Sequence, residues 1–267
     1  MNYKNAIEQK KLFYTKKKLN EKCINQLLTF LTIFFAVIAI IVYGTVNQYY
    51  SAEVVGHSMA PTINAHSYFD YNSTQKNQIA YYTTYKKPQK GDIIIVDYEL
   101  AGITEVDAIK RLIAVGGDTI CYYNGEILVN GEAIDEPYLK QSYNLIKKTQ
   151  GVEYANYWKN NGYETSRSKF NNFCEAVLNK TYNKTTFSKN YETDYSGSIK
   201  YSEVIDGYVL TIPENFVYFL GDNRAGSRDS SEFGPLEKKY MLVKVDYVVD
   251  YGTNIFSAIW QNFLKQF

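Results

Sequence analysis

The sequence predicts a mainly β domain behind a single N-terminal membrane helix, with a polar insertion that splits the β part. An uncharged apolar run of bilayer length lies near the N-terminus. Short apolar runs punctuated by Asn-Gly turns follow it. Between two sets of those runs lies a Tyr-, Asn- and Lys-rich stretch without a long apolar segment.

The 267 residues allow one large domain or two small ones, each able to bury a core. Lys plus Arg number 29 and Asp plus Glu 28, a balance that argues against a dedicated nucleic-acid binder. Apolar and aromatic residues make up 45%, which excludes a disordered tail protein. Three Cys rule out a disulfide scaffold, and two His leave little for a histidine-rich metal site. The mean hydropathy is negative, so this is no multi-span membrane protein.

The N-terminal residues 1–26 are basic: Lys4, Lys10, Lys11, Lys16, Lys17, Lys18 and Lys22 face only Glu8 and Glu21. Residues 27–46 (LLTFLTIFFAVIAIIVYGTV) then run 20 residues without a charge. At about 1.5 Å per residue they span roughly 30 Å, the thickness of bilayer hydrocarbon. No Lys or Arg follows until Lys76. The positive-inside rule puts the N-terminus in the cytoplasm and residues 49–267 outside. A buried soluble helix would be shorter or carry a polar stripe. A cleavable signal would have a shorter apolar core and a small-x-small exit. We therefore expect an uncleaved anchor over 27–48. Cys121 and Cys174 then lie where disulfides persist, and their spacing does not decide between a bridge and free thiols.

Strands are expected over 92–98, 108–115, 119–123, 126–129, 208–212, 216–220 and 241–249. Asn124-Gly125 and Asn130-Gly131 mark tight turns. The β domain is thus 49–140 and 206–254, with 141–205 as an α/β or irregular insertion in which 170–178 could be a helix. Residues 255–267 are apolar at helical spacing and either pack on the β domain or lie at the membrane surface.

Chemistry-bearing residues cluster in three places. Gly56-His57-Ser58-Met59-Ala60-Pro61-Thr62 sits just beyond the anchor and leaves the Ser58 hydroxyl approachable. His57 would point away from Ser58 in an extended chain, and His66 is by default a surface residue, so a Ser-His-Asp triad is disfavoured. Lys110 lies in the apolar strand 108–115, on the face of Ala108, Leu112 and Ala114. It is either an edge-strand gatekeeper or a desolvated Lys whose neutral amine could take a Ser proton. The third cluster, 221–234 (GDNRAGSRDSSEFG), is either a polar loop or one that orients a site on neighbouring strands.

In this order behind one anchor, these motifs resemble the bacterial type I signal peptidases, membrane-bound Ser-Lys proteases. Ser58 to Thr62 matches the Ser-Met-x-Pro-Thr run, and Gly91 to Val96 the Gly-Asp-Ile strand. Lys110 to Asp118 matches the Lys-Arg strand ending in Gly-Asp, and Gly221 to Ser230 the Gly-Asp-Asn-Arg loop. The resemblance covers the anchor and about 50–140 and 205–250. It implies a twisted antiparallel, partly barrel-like fold. It implies Ser58 as nucleophile and Lys110 as general base, with Ser227 orienting the Lys amine. Asp229 would brace the site with Arg111 as its charge partner, while Asp222, Asn223 and Arg224 shape the loop. Gly56 stands where some members carry an oxyanion-hole Ser, so backbone donors must suffice. One such donor is typically worth about 3–4 kcal/mol. Val54, Met59, Ile63 and Ile109 are candidate walls of a substrate pocket or ordinary core. The family's Asp-Ser-Arg is here Asp229-Ser230-Ser231, which questions the bracing network. Endoplasmic-reticulum relatives carry His in place of Lys110, so the bacterial branch fits.

The implied substrates are signal peptides of exported preproteins, bound as an added strand and cut after a small-x-small site. The implied surroundings are the lipid bilayer near the export translocon, with no nucleic acid, cofactor or metal. The alternatives are a dedicated pilus or surface-protein processing enzyme and a non-catalytic assembly factor on the same fold.

Overall fold

The structure is a computed structural model that describes residues 3–69, 74–103, 107–181 and 195–264. The chain forms two compact units, Met1–Tyr49 and Tyr50–Phe267.

The first unit is one helix, α1 (Tyr3–Val46). It runs without a break from the basic segment into the apolar one. Lys, Glu, Leu and Ala are good helix formers, and neither Gly before Gly44 nor Pro before Pro61 interrupts them. Within it, Lys10–Val46 is long and apolar enough to cross a membrane, by length and composition.

The second unit opens with β1 (Tyr50–Glu53), α2 (Ala65–Phe69), β2 (Ile79–Thr83), β3 (Ile93–Val96) and β4 (Ala108–Val115). β5 (Thr119–Tyr123), β6 (Glu126–Val129) and β7 (Glu132–Ala133) follow. Two helices come next, α3 (Pro137–Gln150) and α4 (Val152–Leu178). The chain continues through β8 (Ile199–Ser202), β9 (Gly207–Thr211) and β10 (Phe216–Leu220). It ends with α5 (Ser230–Phe233), β11 (Leu236–Glu237), β12 (Met241–Val249) and α6 (Ile255–Leu264).

The strands build two antiparallel sheets, ordered β1-β2-β12-β3-β4-β10-β11 and β7-β6-β5-β9-β8. Both sheets are open at their edges, so the described strands close no barrel, contrary to the partly barrel-like expectation. The Asn-Gly pairs behave as expected. Tyr123 pairs with Glu126 and Val129 with Glu132, and all four turn residues have positive φ. β3 is shorter than expected because the flanking aspartates turn the chain. Asp92 accepts from the Gln89 N–H at 2.7 Å and Asp97 from the Leu100 N–H at 2.6 Å.

β4 lies between β3 and β10, so Lys110 is not on an edge strand and the gatekeeper reading fails. Its five residues from Lys110 to Ala114 are all buried, because apolar clusters cover both faces.

Among the described residues, 141–205, expected to be α/β or irregular, holds most of a helical pair followed by β8. Pro137 sits in the first turn of α3, where its missing N–H costs nothing. The 170–178 helix is only the end of α4. α4 buries Ala155, Trp158, Gly162, Ser166, Phe170 and Phe173, a stripe at helical spacing. β8 already belongs to the smaller sheet. Residues 182–194 of the insertion and 265–267 of the C-terminal segment lie outside the described residues. α6 buries Ile255 and Ala258 and exposes Phe256, Trp260 and Leu264. Cys121 and Cys174 are free thiols.

Candidate active site

Ser58 lies in a turn directly after β1. The Ala60 N–H donates to His57 O at 3.1 Å and the Ile63 N–H to Met59 O at 3.0 Å. Met59, Ala60 and Ile63 are buried beneath it, and Ser58 stays half-buried. The turn is also gripped from the loop after β10. The Asn223 N–H donates to Ser58 O at 3.0 Å and Asn223 Nδ2 to His57 O at 3.1 Å. Gly221 is required for this approach, since a Cβ there would run into Ser227 Oγ and Ser58 O. The His57 side chain is exposed.

Lys110 reaches Ser58 from the interior of the sheet. Its Nζ is 2.9 Å from Ser58 Oγ and donates to Ile109 O at 3.0 Å. The residue is 3% exposed. Burial drives its pKa down from the ordinary 10.5 to about 8, against the opposing charges of Asp229 and Asp222. A neutral amine is therefore accessible near physiological pH. The Tyr98 ring lies 5.5 Å from Nζ. The Tyr98 hydroxyl in turn donates to Arg228 O at 2.9 Å.

The structure corrects one expected partnership. Arg111 pairs with Asp222, not Asp229: Nε and Nη2 donate to its two oxygens at 2.8 and 2.6 Å. The register explains it. Leu220 lies opposite Arg111, so Asp222 falls beside Arg111 on the same face. Arg111 also donates to Gly91 O at 2.7 Å and stacks 3.5 Å from the Tyr138 ring. Ser227, expected to hydrogen-bond Lys110, is buried with an Oγ that has no partner among the described residues.

Asp229 is held by local donors instead. It accepts from the Gly221 N–H at 2.8 Å, the Ser231 N–H at 3.1 Å and Ser231 Oγ at 2.7 Å. Arg224 donates from Nε to Gly221 O at 3.2 Å and pairs with Glu136. Burial opposes its charge, but Glu136 outweighs that and holds the guanidinium pKa above its ordinary value.

A buried Lys against a Ser hydroxyl, braced by one polar loop, is an arrangement able to support Ser-Lys nucleophilic chemistry. The family model "Signal peptidase, peptidase S26" matches residues 24–249. The chain belongs to the signal peptidase family, peptidase S26. It is a serine peptidase, a hydrolase, and falls with the bacterial type I members. Signal peptidase I of Streptococcus pneumoniae serotype 4 is 25% identical over 78% of this chain and 85% of that one. Signal peptidase IB of Staphylococcus aureus is 26% identical over 73% of this chain and 74% of that one. A signal peptidase I crystal structure from Enterococcus faecalis V583 has 23% identity and a TM-score of 0.33. It covers 60% of this chain and 98% of that chain.

Two features stand out for a signal peptidase. Gly56 has φ +86°, a conformation that L side chains rarely adopt. Ser231, in place of the family Arg, still bonds Asp229 through its own hydroxyl. Val54, Met59 and Ile63 are at most 4% exposed, in one cluster with Ala80, Ile95, Val243 and Val245. They pack the core under Ser58, and only Ile109 is partly open. A cavity of 740 Å³ lies away from the dyad, between the β6–β7 hairpin and the helical pair, where Arg224 reaches its wall.

Sequence reasoning missed Tyr98, Glu136 and Tyr138 as parts of this network. None has a local sequence signal, because each is recruited from a distant element.

Proposed function

We propose that this signal peptidase is a membrane-anchored Ser-Lys endopeptidase. It removes N-terminal signal peptides from exported preproteins after a small-x-small site. The observation that carries the reading is the 2.9 Å approach of Lys110 Nζ to Ser58 Oγ in a site that draws the Lys pKa down to about 8. Ser58 Oγ attacks the scissile carbonyl carbon as its proton passes to Lys110 Nζ. The oxyanion is held by the Ser58 backbone N–H. The C–N bond breaks, Lys110 returns the proton to the leaving amine, and an acyl ester remains on Ser58. Lys110 then takes a proton from water, whose oxygen displaces Ser58 Oγ. The proton returns to the Ser hydroxyl.

Ser227 orients the Lys amine when substrate is bound. Asp229 and Arg111 brace the site through Gly221 and Asp222, and Asn223 and Arg224 hold the loop. The substrate adds as a strand near β1, which is an edge of the larger sheet and shortly precedes Ser58. Ile109, over the cluster of Val54, Met59 and Ile63, is the proposed open wall of the substrate pocket. The enzyme sits in the bacterial cell membrane as a single-pass protein near the export translocon. Its N-terminus is cytoplasmic and its catalytic domain lies outside. The assembly-factor alternative drew on the missing Arg; the Ser231–Asp229 bond weakens that ground.

The test is cleavage of a preprotein bearing a small-x-small site, in lipid, by wild type, Ser58→Ala and Lys110→Ala. Loss of cleavage in both variants is expected. Cleavage surviving Ser58→Ala overturns the mechanism.

A further inference from the structure

The helical insertion reaches the back of the loop that carries Ser227 and Asp229. Three residues on one face of α4 touch that loop: Gly162, Lys169 and Phe173. Gly162 packs against the stem of Arg224, and Phe173 against the backbone of Gly234. Between them, Lys169 Nζ donates to the Ser227 carbonyl at 2.6 Å and faces Glu232 at 3.5 Å. Glu232 is also bonded by Arg228 at 3.3 Å, so the ammonium is not tied to it alone.

Ser227 lies in the interior of the loop, 1% exposed. Its Oγ is buried without a hydrogen-bond partner among the described residues, wedged against Gly221, whose own neighbour is Ser58 O. The position of that hydroxyl therefore depends on its backbone, and the bond from Lys169 is a charged one made to that backbone. Charge-assisted hydrogen bonds are roughly twice as strong as neutral ones.

We propose that Lys169 is a positioning residue for peptide hydrolysis, which sets the Ser227 hydroxyl against the Lys110–Ser58 pair from the back of the loop. The proposal rests on the Ser-Lys reading above. It makes the insertion part of the catalytic apparatus, through one side chain of α4 that no motif contains.

The experiment is a double-mutant cycle on the full chain in lipid, with a preprotein substrate and separate measurement of kcat and KM. Lys169→Met keeps the stem and removes the charge. It is expected to lower kcat about tenfold with KM unchanged, and Lys169→Arg to recover most of that loss. In a Ser227→Ala background the same Lys169→Met change is expected to cost less than twofold, because the hydroxyl it positions is gone. An equal fold-loss in both backgrounds, a rise in KM alone, or a wild-type kcat for Lys169→Met overturns the proposal. Thermal unfolding of each variant identifies a loss due to misfolding, and Lys169→Arg without recovery while folded also counts against it. Ser58→Ala and Lys110→Ala run in parallel. If they stay active, the Ser-Lys reading fails; if they are dead and the cycle shows no coupling, only the role of Lys169 fails.

Discussion

The dyad and the loop that braces it lie side by side and are built in opposite ways. Lys110 Nζ makes two hydrogen bonds, one of them to Ser58 Oγ, and Ser227 Oγ has no partner among the described residues. In the loop, Asp222 accepts two bonds from Arg111 and Asp229 accepts three from Gly221 and Ser231. Buried polar groups are normally satisfied, so the exceptions carry information. On the proposed Ser-Lys reading, Lys110 and Ser227 keep spare capacity for a substrate. The two loop carboxylates accept two or three bonds each, which keeps those groups in place without tying them down.

The sharpest way to break this comparison is to fill the spare capacity with a fixed charge. Arg at position 110 stays protonated and cannot accept the Ser58 proton. Lys110→Arg is expected to lose at least about 10³-fold in kcat/KM while remaining folded, a scale typical of losing a catalytic-triad member. Activity within tenfold of wild type would show that Lys110 is not the base.

Next is the frame itself. Asp222→Ala strands the buried Arg111 guanidinium, an error worth about 3–5 kcal/mol of folding stability. Urea unfolding checks it, and an unchanged midpoint would mean that the pair does not hold the loop.

The third prediction concerns the charge on Lys110. Its folded pKa of about 8 lies below the ordinary 10.5, so the folded state sheds a proton that the unfolded chain keeps. The resulting penalty on folding is fully present below pH 8 and fades as pH rises from about 8 to 10.5. That gap corresponds to about 3 kcal/mol. Lys110→Met is therefore expected to unfold later than wild type at pH 7, with the advantage shrinking above pH 8. Activity runs with the neutral amine. kcat/KM should rise about tenfold per pH unit below 8 and level off above it. A profile flat through pH 8 would contradict the pKa.

The smallest effect tests redundancy. Ser231→Ala removes one of three bonds to Asp229 and leaves the two backbone N–H donors. A loss of about 1 kcal/mol in stability is expected, with kcat reduced less than tenfold. A larger fall in kcat would make Ser231 a specific replacement for the family Arg rather than one donor among several.

Much of the sheet was legible. Ala108–Val115, Thr119–Tyr123, Glu126–Val129, Phe216–Leu220 and Met241–Val249 have the bounds expected from apolar runs between turn residues. β1 and β2 were missed. β1 is a short, mostly exposed edge strand, and β2 mixes aromatics with small residues, so neither shows a clean alternation. The helical pair was missed for a related reason. The inward stripe of α4 is built of Ala, Trp, Gly, Ser and Phe, which gives little hydropathy contrast with its Tyr-rich outer face.

At the site, the sequence by itself determined the residue types: a Ser in an approachable turn, a Lys inside an apolar strand and an acid-rich loop after another. Those follow from local chemistry, though a Lys in an apolar run fits a gatekeeper or a desolvated amine until the sheet order decides. Only the tertiary structure decided the pairings. Arg111 meets Asp222 because the register of β4 against β10 puts them on one face. Asp229 turns instead to Gly221 and Ser231, and Lys169 reaches Ser227 because α4 packs across the loop. Register and packing join residues far apart in the chain, so they depend on the global arrangement of sheets and helices, which no local pattern encodes.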